Sequence, residues 1–226
     1  MRIRVIYSVG PDLRFLGNFD MMHLVERALR RAGIDYCLTV GFNPHIKLSM
    51  GTILPVGVWG EAELFDLELA DGGSHDFIDR MNLVLPEGMR IHDCREISQE
   101  TPAIMKVINA AAYTFRINLP FDQVKSVVEE ILGSSEILVQ SRGKKKDKVK
   151  DLRSGIYSAK AEAVNSQSSD VTLVVSVNEP MNIRYDELLD MLHMFGLTQE
   201  IVSDYFRQAN YIKEADRLYS PLEKVI

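Results

Sequence analysis

The sequence is poor in the residues that build cofactor sites. It has two cysteines, Cys37 and Cys94, in 226 residues. Neither has a neighbour at metal-ligand spacing, which argues against a zinc or iron–sulfur site within the chain. Two thiols of this kind are expected as small apolar core residues. Long apolar runs are also missing, since none approaches the ~18 residues that suggest a membrane span. Met1–Tyr7 alternates like a strand and does not read as a secretory leader. The expected setting is cytoplasmic, reduced and away from membranes. A basic balance is lacking as well. The net charge of −6 excludes a whole-chain electrostatic footprint for nucleic acid.

The composition is otherwise that of a globular protein with enough apolar material for a core, 46% hydrophobic and 26% charged. The acidic total conceals two local basic regions. Residues 1–60 carry a net +3 and residues 141–160 a net +6, against −8 over residues 61–100. A chain of this kind still presents basic surface.

Periodicity gives an order of elements. Arg2–Ser8 mostly alternates polar and apolar and predicts a strand. Met21, Leu24, Val25, Ala28, Leu29 and Ala32 fall on one face of a helix that Gly33 ends. Ile34–Val40 predicts a second strand and Ala62–Leu69 a third. In the third, the acids are expected to face solvent. A turn and helix cap at Asp71–Ser74 precede a short helix from Phe77 to Leu85, and Met89–Ile97 predicts a fourth strand. The order β-α-β-β-α-β is the split βαβ of ferredoxin-like domains, in which one sheet face is left open. Residues 99–112 read as a linker or connecting helix. The second half repeats the plan less regularly, with strands at Tyr113–Leu119, Glu136–Gln140, Val149–Val164 and Val171–Val177, and helices at 124–132 and 186–195. The tail from Thr198 reads as helical to about Ala209. The expected architecture is α+β, two ferredoxin-like domains with antiparallel sheets, 1–100 and 101–226. The first carries the Gly41–Ser49 loop. The second carries a basic hairpin loop and a C-terminal helix.

Three groups of residues are candidates for binding. Gly41-Phe42-Asn43-Pro44-His45-Ile46-Lys47 collects turn-formers, an amide, an imidazole and an ammonium between two predicted strands, and such loops tend to carry binding residues. Asn43, His45 and Lys47 are its candidates. His45 is also the one candidate general base, although no acid–base partner lies at a diagnostic spacing. Arg27, Arg30 and Arg31 share a helical stripe, where guanidiniums can hold phosphates bidentately, and Arg14 lies just before it. Asp20 stands at the start of that helix, where a carboxylate usually caps. The third group is the run Arg142, Lys144, Lys145, Lys146 and Lys148, suited to a nucleic-acid backbone. Glu61, Glu63, Asp66 and Glu68 read as a solvated strand face and not as a metal site, so no metal is expected.

An ordered set of residues in the first hundred resembles a bacterial family of unknown function, the radical-SAM-linked proteins. The set comprises Arg14-Phe15-Leu16, Asp20, Leu24–Gly33, Gly41-Phe42-Asn43-Pro44-His45 with Lys47, Leu54-Pro55-Val56-Gly57-Val58, and Glu63. The second half matches more loosely, at Val149–Arg153 and Arg207. The chain departs from the pattern at Asn18, where a His is common, and at Ile46, where a second Pro is common. Members are fused to, or encoded beside, cobalamin-binding radical SAM proteins. The resemblance therefore implies an accessory, substrate-handling role without catalysis. The partner would carry the iron–sulfur cluster, S-adenosylmethionine and cobalamin, and this chain would bind none of them. With the basic regions, the expected substrate is RNA, transfer or ribosomal. Two rivals are an RNA-processing or RNA-modifying enzyme using His45, and a pure protein-interaction module.

Overall fold

The computed structural model describes residues 1–70, 76–143 and 148–224. The predicted turn and cap at Asp71–Ser74 lies outside the described residues. The fold is α+β, and the chain divides into two compact units, residues 1–108 with 209–226, and residues 109–208.

In the first unit the strands are β1 (Arg2–Val9), β2 (Leu48–Met50), β3 (Trp59–Glu68) and β4 (Met89–Ile97), with helices α1 (Asn18–Arg31) and α2 (Phe77–Asn82). β1 runs antiparallel to both β3 and β4, and β2 antiparallel to β3. The resulting order, β4-β1-β3-β2, is that of a ferredoxin-like sheet. The helix forms where its apolar residues recur at 3.6-residue spacing, burying Met21, Val25, Ala28 and Leu29 against Val5, Tyr7, Phe65 and Leu67. Gly33, at φ 62, ends it in the left-handed conformation that a Cβ disfavours.

In the second unit the strands are β5 (Ala110–Ile117), β8 (Ile156–Asn165), β9 (Ser168–Ser176) and the first part of β10 (Val202–Glu214), and the helices are α4 (Phe121–Gly133) and α5 (Tyr185–Met194). Their order, β10-β5-β9-β8, repeats the first unit's arrangement. The two-stranded ladder β6 (Leu138–Gln140) with β7 (Val149–Asp151) is inserted between α4 and β8. This insertion makes the second unit the less regular.

Several expectations are corrected. Ile34–Val40 is not a strand. It makes only the bridges Tyr36↔Leu69 and Leu38↔Ile46, and Leu48–Met50 takes the place on β3 instead. The tail after Thr198 is not helical. Val202–Glu214 is extended, held as a strand by pairing with its neighbours in the sheet. The chain returns to the first unit within β10, at Ala209, and β11 (Arg217–Tyr219) pairs back onto β10. The 99–112 segment holds one helical turn, α3 (Ile104–Val107), and Ala110–Ala112 lie buried inside β5. Small side chains there admit the close packing of a sheet centre.

Two of the four acids of β3 do not face solvent, whereas Glu61 does. Glu63 and Asp66 are both 2% exposed. Nor is the second sheet face open at this place. Arg4 is 0% exposed. It donates to Asp66 at 2.7 and 3.1 Å, to the Pro221 carbonyl at 3.2 Å and to the Pro102 carbonyl at 3.4 Å. Both the 99–108 segment and the C-terminal tail therefore lie over that face.

In the second unit, Asp151 accepts hydrogen bonds from the Ile137 and Arg153 backbone N–H groups at 2.8 and 3.0 Å. These donors hold its carboxyl below the ordinary carboxylate range, that of Ile137 first. Asp151→Ala is expected to cost about 1 kcal/mol at neutral pH, with solvent screening keeping the figure small. A carboxylate whose folded-state pKa is depressed contributes above its unfolded pKa and loses that contribution as pH falls through the folded value. Urea midpoints of wild type and variant should therefore differ at pH 7 and converge as pH falls below the ordinary carboxylate range.

Candidate anion-binding site

Helix α1 presents its polar side along one concave surface. Asp20, His23, Arg27 and Arg31 line a cavity of 370 Å³ whose other walls include Leu16, Val84 and Pro86. His23, Arg27 and Arg31 are exposed, and nothing among the described residues pairs with any of the three. Arg30 differs. It donates to Glu26 at 2.6 Å and to the Tyr36 hydroxyl at 2.9 Å, and the Tyr36 contact ahead of Glu26 raises its pKa. Glu26 is thereby occupied and does not compensate Arg27. Asp20 is occupied as well, since its Oδ2 accepts the Gly17 backbone N–H at 3.1 Å. It closes the backbone half of a capping box and anchors the start of the helix that carries the arginines.

Arg14 lines a smaller crevice with Leu13, Asn18, Met50 and Leu54, and Leu16 borders both. The Arg14 carbonyl accepts the Gly57 N–H at 2.7 Å, and its Nε donates to the Pro11 carbonyl at 3.0 Å. Two separate blocks of the sequence set, Arg14–Leu16 and Leu54–Gly57, are thus neighbours in space.

The Gly41–Lys47 stretch forms the end of a small hairpin. Thr39 N–H donates to the His45 carbonyl at 2.7 Å, His45 N–H to Thr39 Oγ1 at 2.9 Å, and Lys47 N–H to the Cys37 carbonyl at 2.9 Å. Asn43 and His45 are exposed at its tip. Lys47 is engaged: its Nζ lies 2.8 Å from Glu68 Oε2, and that hydrogen bond raises its pKa. His45 contributes its backbone to the hairpin, and no second acid–base group is hydrogen-bonded to its ring among the described residues.

Of the basic run, Lys144, Lys145 and Lys146 lie outside the described residues. Arg142 makes a bidentate pair with Asp190 at 2.7 and 2.8 Å, and this carboxylate raises its pKa. Lys148 is exposed, and its carbonyl accepts the Ser141 N–H at 2.9 Å. Among the described residues, no group of three or more His, Cys, Asp or Glu side chains is disposed to hold a metal ion. No described helix is long and apolar enough to cross a membrane.

The structure therefore gathers Asp20, Arg27 and Arg31 on one surface, with Arg14 in the adjoining crevice. His23 is the member that sequence reasoning missed. Its signal was its i+4 spacing from Arg27 on the polar side of the helix.

A family described as an uncharacterized protein conserved in bacteria, DUF2344, matches residues 2–185. No curated protein matches the chain. Among solved structures, a chain of a Cbf5-Nop10-Gar1 complex is similar at 15% identity and a TM-score of 0.49, covering 94% of this chain and 50% of that one. The present chain thus spans half the length of that relative. An unknown protein from Galdieria sulphuraria aligns at 11% identity and a TM-score of 0.25, over 92% of this chain and 96% of that one.

Proposed function

The chain belongs to the DUF2344 family of uncharacterized bacterial proteins, and we propose that it is a non-catalytic, RNA-binding partner of a cobalamin-dependent radical SAM enzyme. The partner carries the iron–sulfur cluster, S-adenosylmethionine and cobalamin, and this chain holds the RNA substrate. One observation carries the RNA-binding part: two exposed guanidiniums, Arg27 and Arg31, face a concave surface with no carboxylate paired to them among the described residues. Uncompensated arginines on a rigid helix suit phosphate, because the guanidinium fork matches its oxygens bidentately. The partnership rests on the ordered residue set from Arg14 to Glu63, of which Leu16, Asp20, Leu24, Arg27 and Arg31 line this surface and Arg14 and Leu54 the neighbouring crevice.

The test is RNA retention by the purified chain across a salt series. Wild type should bind at low salt. Arg27→Ala with Arg31→Ala should weaken binding at least tenfold. The double variant should also lower the slope of log K against log salt by about 1.4, the loss of two single-strand phosphate contacts. Both residues are exposed, so the fold should survive the change. The RNA reading falls if wild type retains no RNA, or if the double variant binds with unchanged affinity and slope. The partnership is checked separately, by co-purification with a cobalamin-binding radical SAM protein from the same cells. Failure to co-purify would remove that part alone.

A further inference from the structure

The polar side of α1 carries more than cations. Phe19, His23, Arg27 and Arg31 recur at four-residue steps along one inclined ridge of the helix. All four are exposed. Phe19 is 75% exposed, as is Phe15 just before the helix. A large aromatic in that state gains nothing for the fold, since its apolar area remains in water. The helix meanwhile buries its other side through Met21, Val25, Ala28 and Leu29. Phe19 is therefore neither a core residue that slipped out of register nor part of the apolar stripe.

We infer that this ridge is a binding track for single-stranded RNA, with an unpaired base stacked on Phe19 and the following phosphates held by Arg27 and Arg31. The inference rests on the RNA-binding reading and adds to it the form of the substrate. Four-residue steps advance about 6 Å along the axis, so the ridge is long enough for a few nucleotides. Aromatic faces beside cations are the usual means of holding single strands, because every base has a π-face. Paired bases do not offer that face, whereas loops and ends do. Charge points to the same ligand: the chain as a whole is −6, yet the two carboxylates nearest in sequence to the ridge, Asp20 and Glu26, are each tied to another donor. An acidic strand with exposed bases complements both halves of the ridge.

The experiment compares a short oligouridylate with an abasic ribose-phosphate oligomer of the same length, in fluorescence anisotropy with the full chain. Phe19→Ala should weaken oligouridylate binding roughly 5- to 100-fold, the range for one lost base–aromatic stack. It should leave the abasic oligomer's affinity and the salt slope unchanged. Phe19→Trp should restore oligouridylate binding. Wild type should bind the abasic oligomer about as weakly as Phe19→Ala binds the intact one. Several results would overturn the inference. If Phe19→Ala binds oligouridylate as wild type does while the double arginine variant fails, stacking is wrong and the phosphate reading stands. If Phe19→Ala loses both oligomers equally, the effect is not stacking. If it loses only the radical SAM protein, the ridge is a protein contact. If wild type binds neither oligomer, both readings fall together.

Discussion

Replacing Asp66 by alanine should destabilise the protein by about 3–5 kcal/mol, measured as a shift in the urea unfolding transition. Asp66 is 2% exposed and Arg4 0%, so neither charge reaches water. The carboxylate accepts from Arg4 Nε and Nη2 and from Arg2 Nη2, at 2.7, 3.1 and 2.7 Å. Removing it leaves a guanidinium buried under Pro102 and Pro221, with carbonyl partners but no counter-ion. The cost is that of an uncompensated charge and not the worth of the pair. Removing both charges with apolar residues of similar size, Arg4→Met with Asp66→Leu, should therefore recover more than half of the loss. A single Asp66→Ala variant within 1 kcal/mol of wild type would show that water reaches the guanidinium. A double variant as damaged as the single one would show that the ion pair itself holds the 99–108 segment and the tail in place.

This ion pair also marks where sequence reasoning stopped. The alternation of β3 was legible, and so was its place in the β-α-β-β-α-β order, because period-2 patterning depends only on neighbouring residues. What covers the second sheet face was not legible. That depends on Pro102 and Pro221, which lie 36 and 155 residues from Asp66 in the chain. A strand with acids at alternate positions reads as half-solvated unless those distant segments are known to lie across it. The tail failed for a related reason. Its charged and polar residues fit a helix or a strand equally well, and pairing decided for the strand. At the candidate site, Arg27 and Arg31 were visible as a helical stripe. The engagement of Arg30, Asp20 and Lys47 was not, because it turns on side-chain contacts that spacing alone does not determine. Phe19 became informative only once its exposure was known.

The other large effect is expected at Glu187. This carboxylate is 0% exposed. It accepts the backbone N–H groups of Arg142 and Arg184, each at 3.0 Å, and Lys150 Nζ at 2.6 Å. Three donors converging on one buried carboxylate from three separate segments make it the joint between α5 and the β6–β7 ladder. Glu187→Ala orphans two amides and removes the counter-ion of Lys150, which keeps the Asn182 carbonyl as an acceptor. A loss of about 3–5 kcal/mol is expected. Glu187→Gln keeps the shape and one acceptor oxygen, so it should lose roughly half as much. The Arg142–Asp190 pair should survive in the glutamine variant and hold one end of the basic run against the helix. Amide hydrogen exchange separates this joint from a general loss of stability. In Glu187→Ala the amides of Val139 and Lys150, which face each other across the ladder, should exchange faster than those of β5 and β9, whose pairing does not involve Glu187. Uniform acceleration across the second unit would mean that Glu187 supports the whole unit. Unchanged exchange at Val139 would mean that the ladder stands without it, and that the basic run is not held through α5 at all.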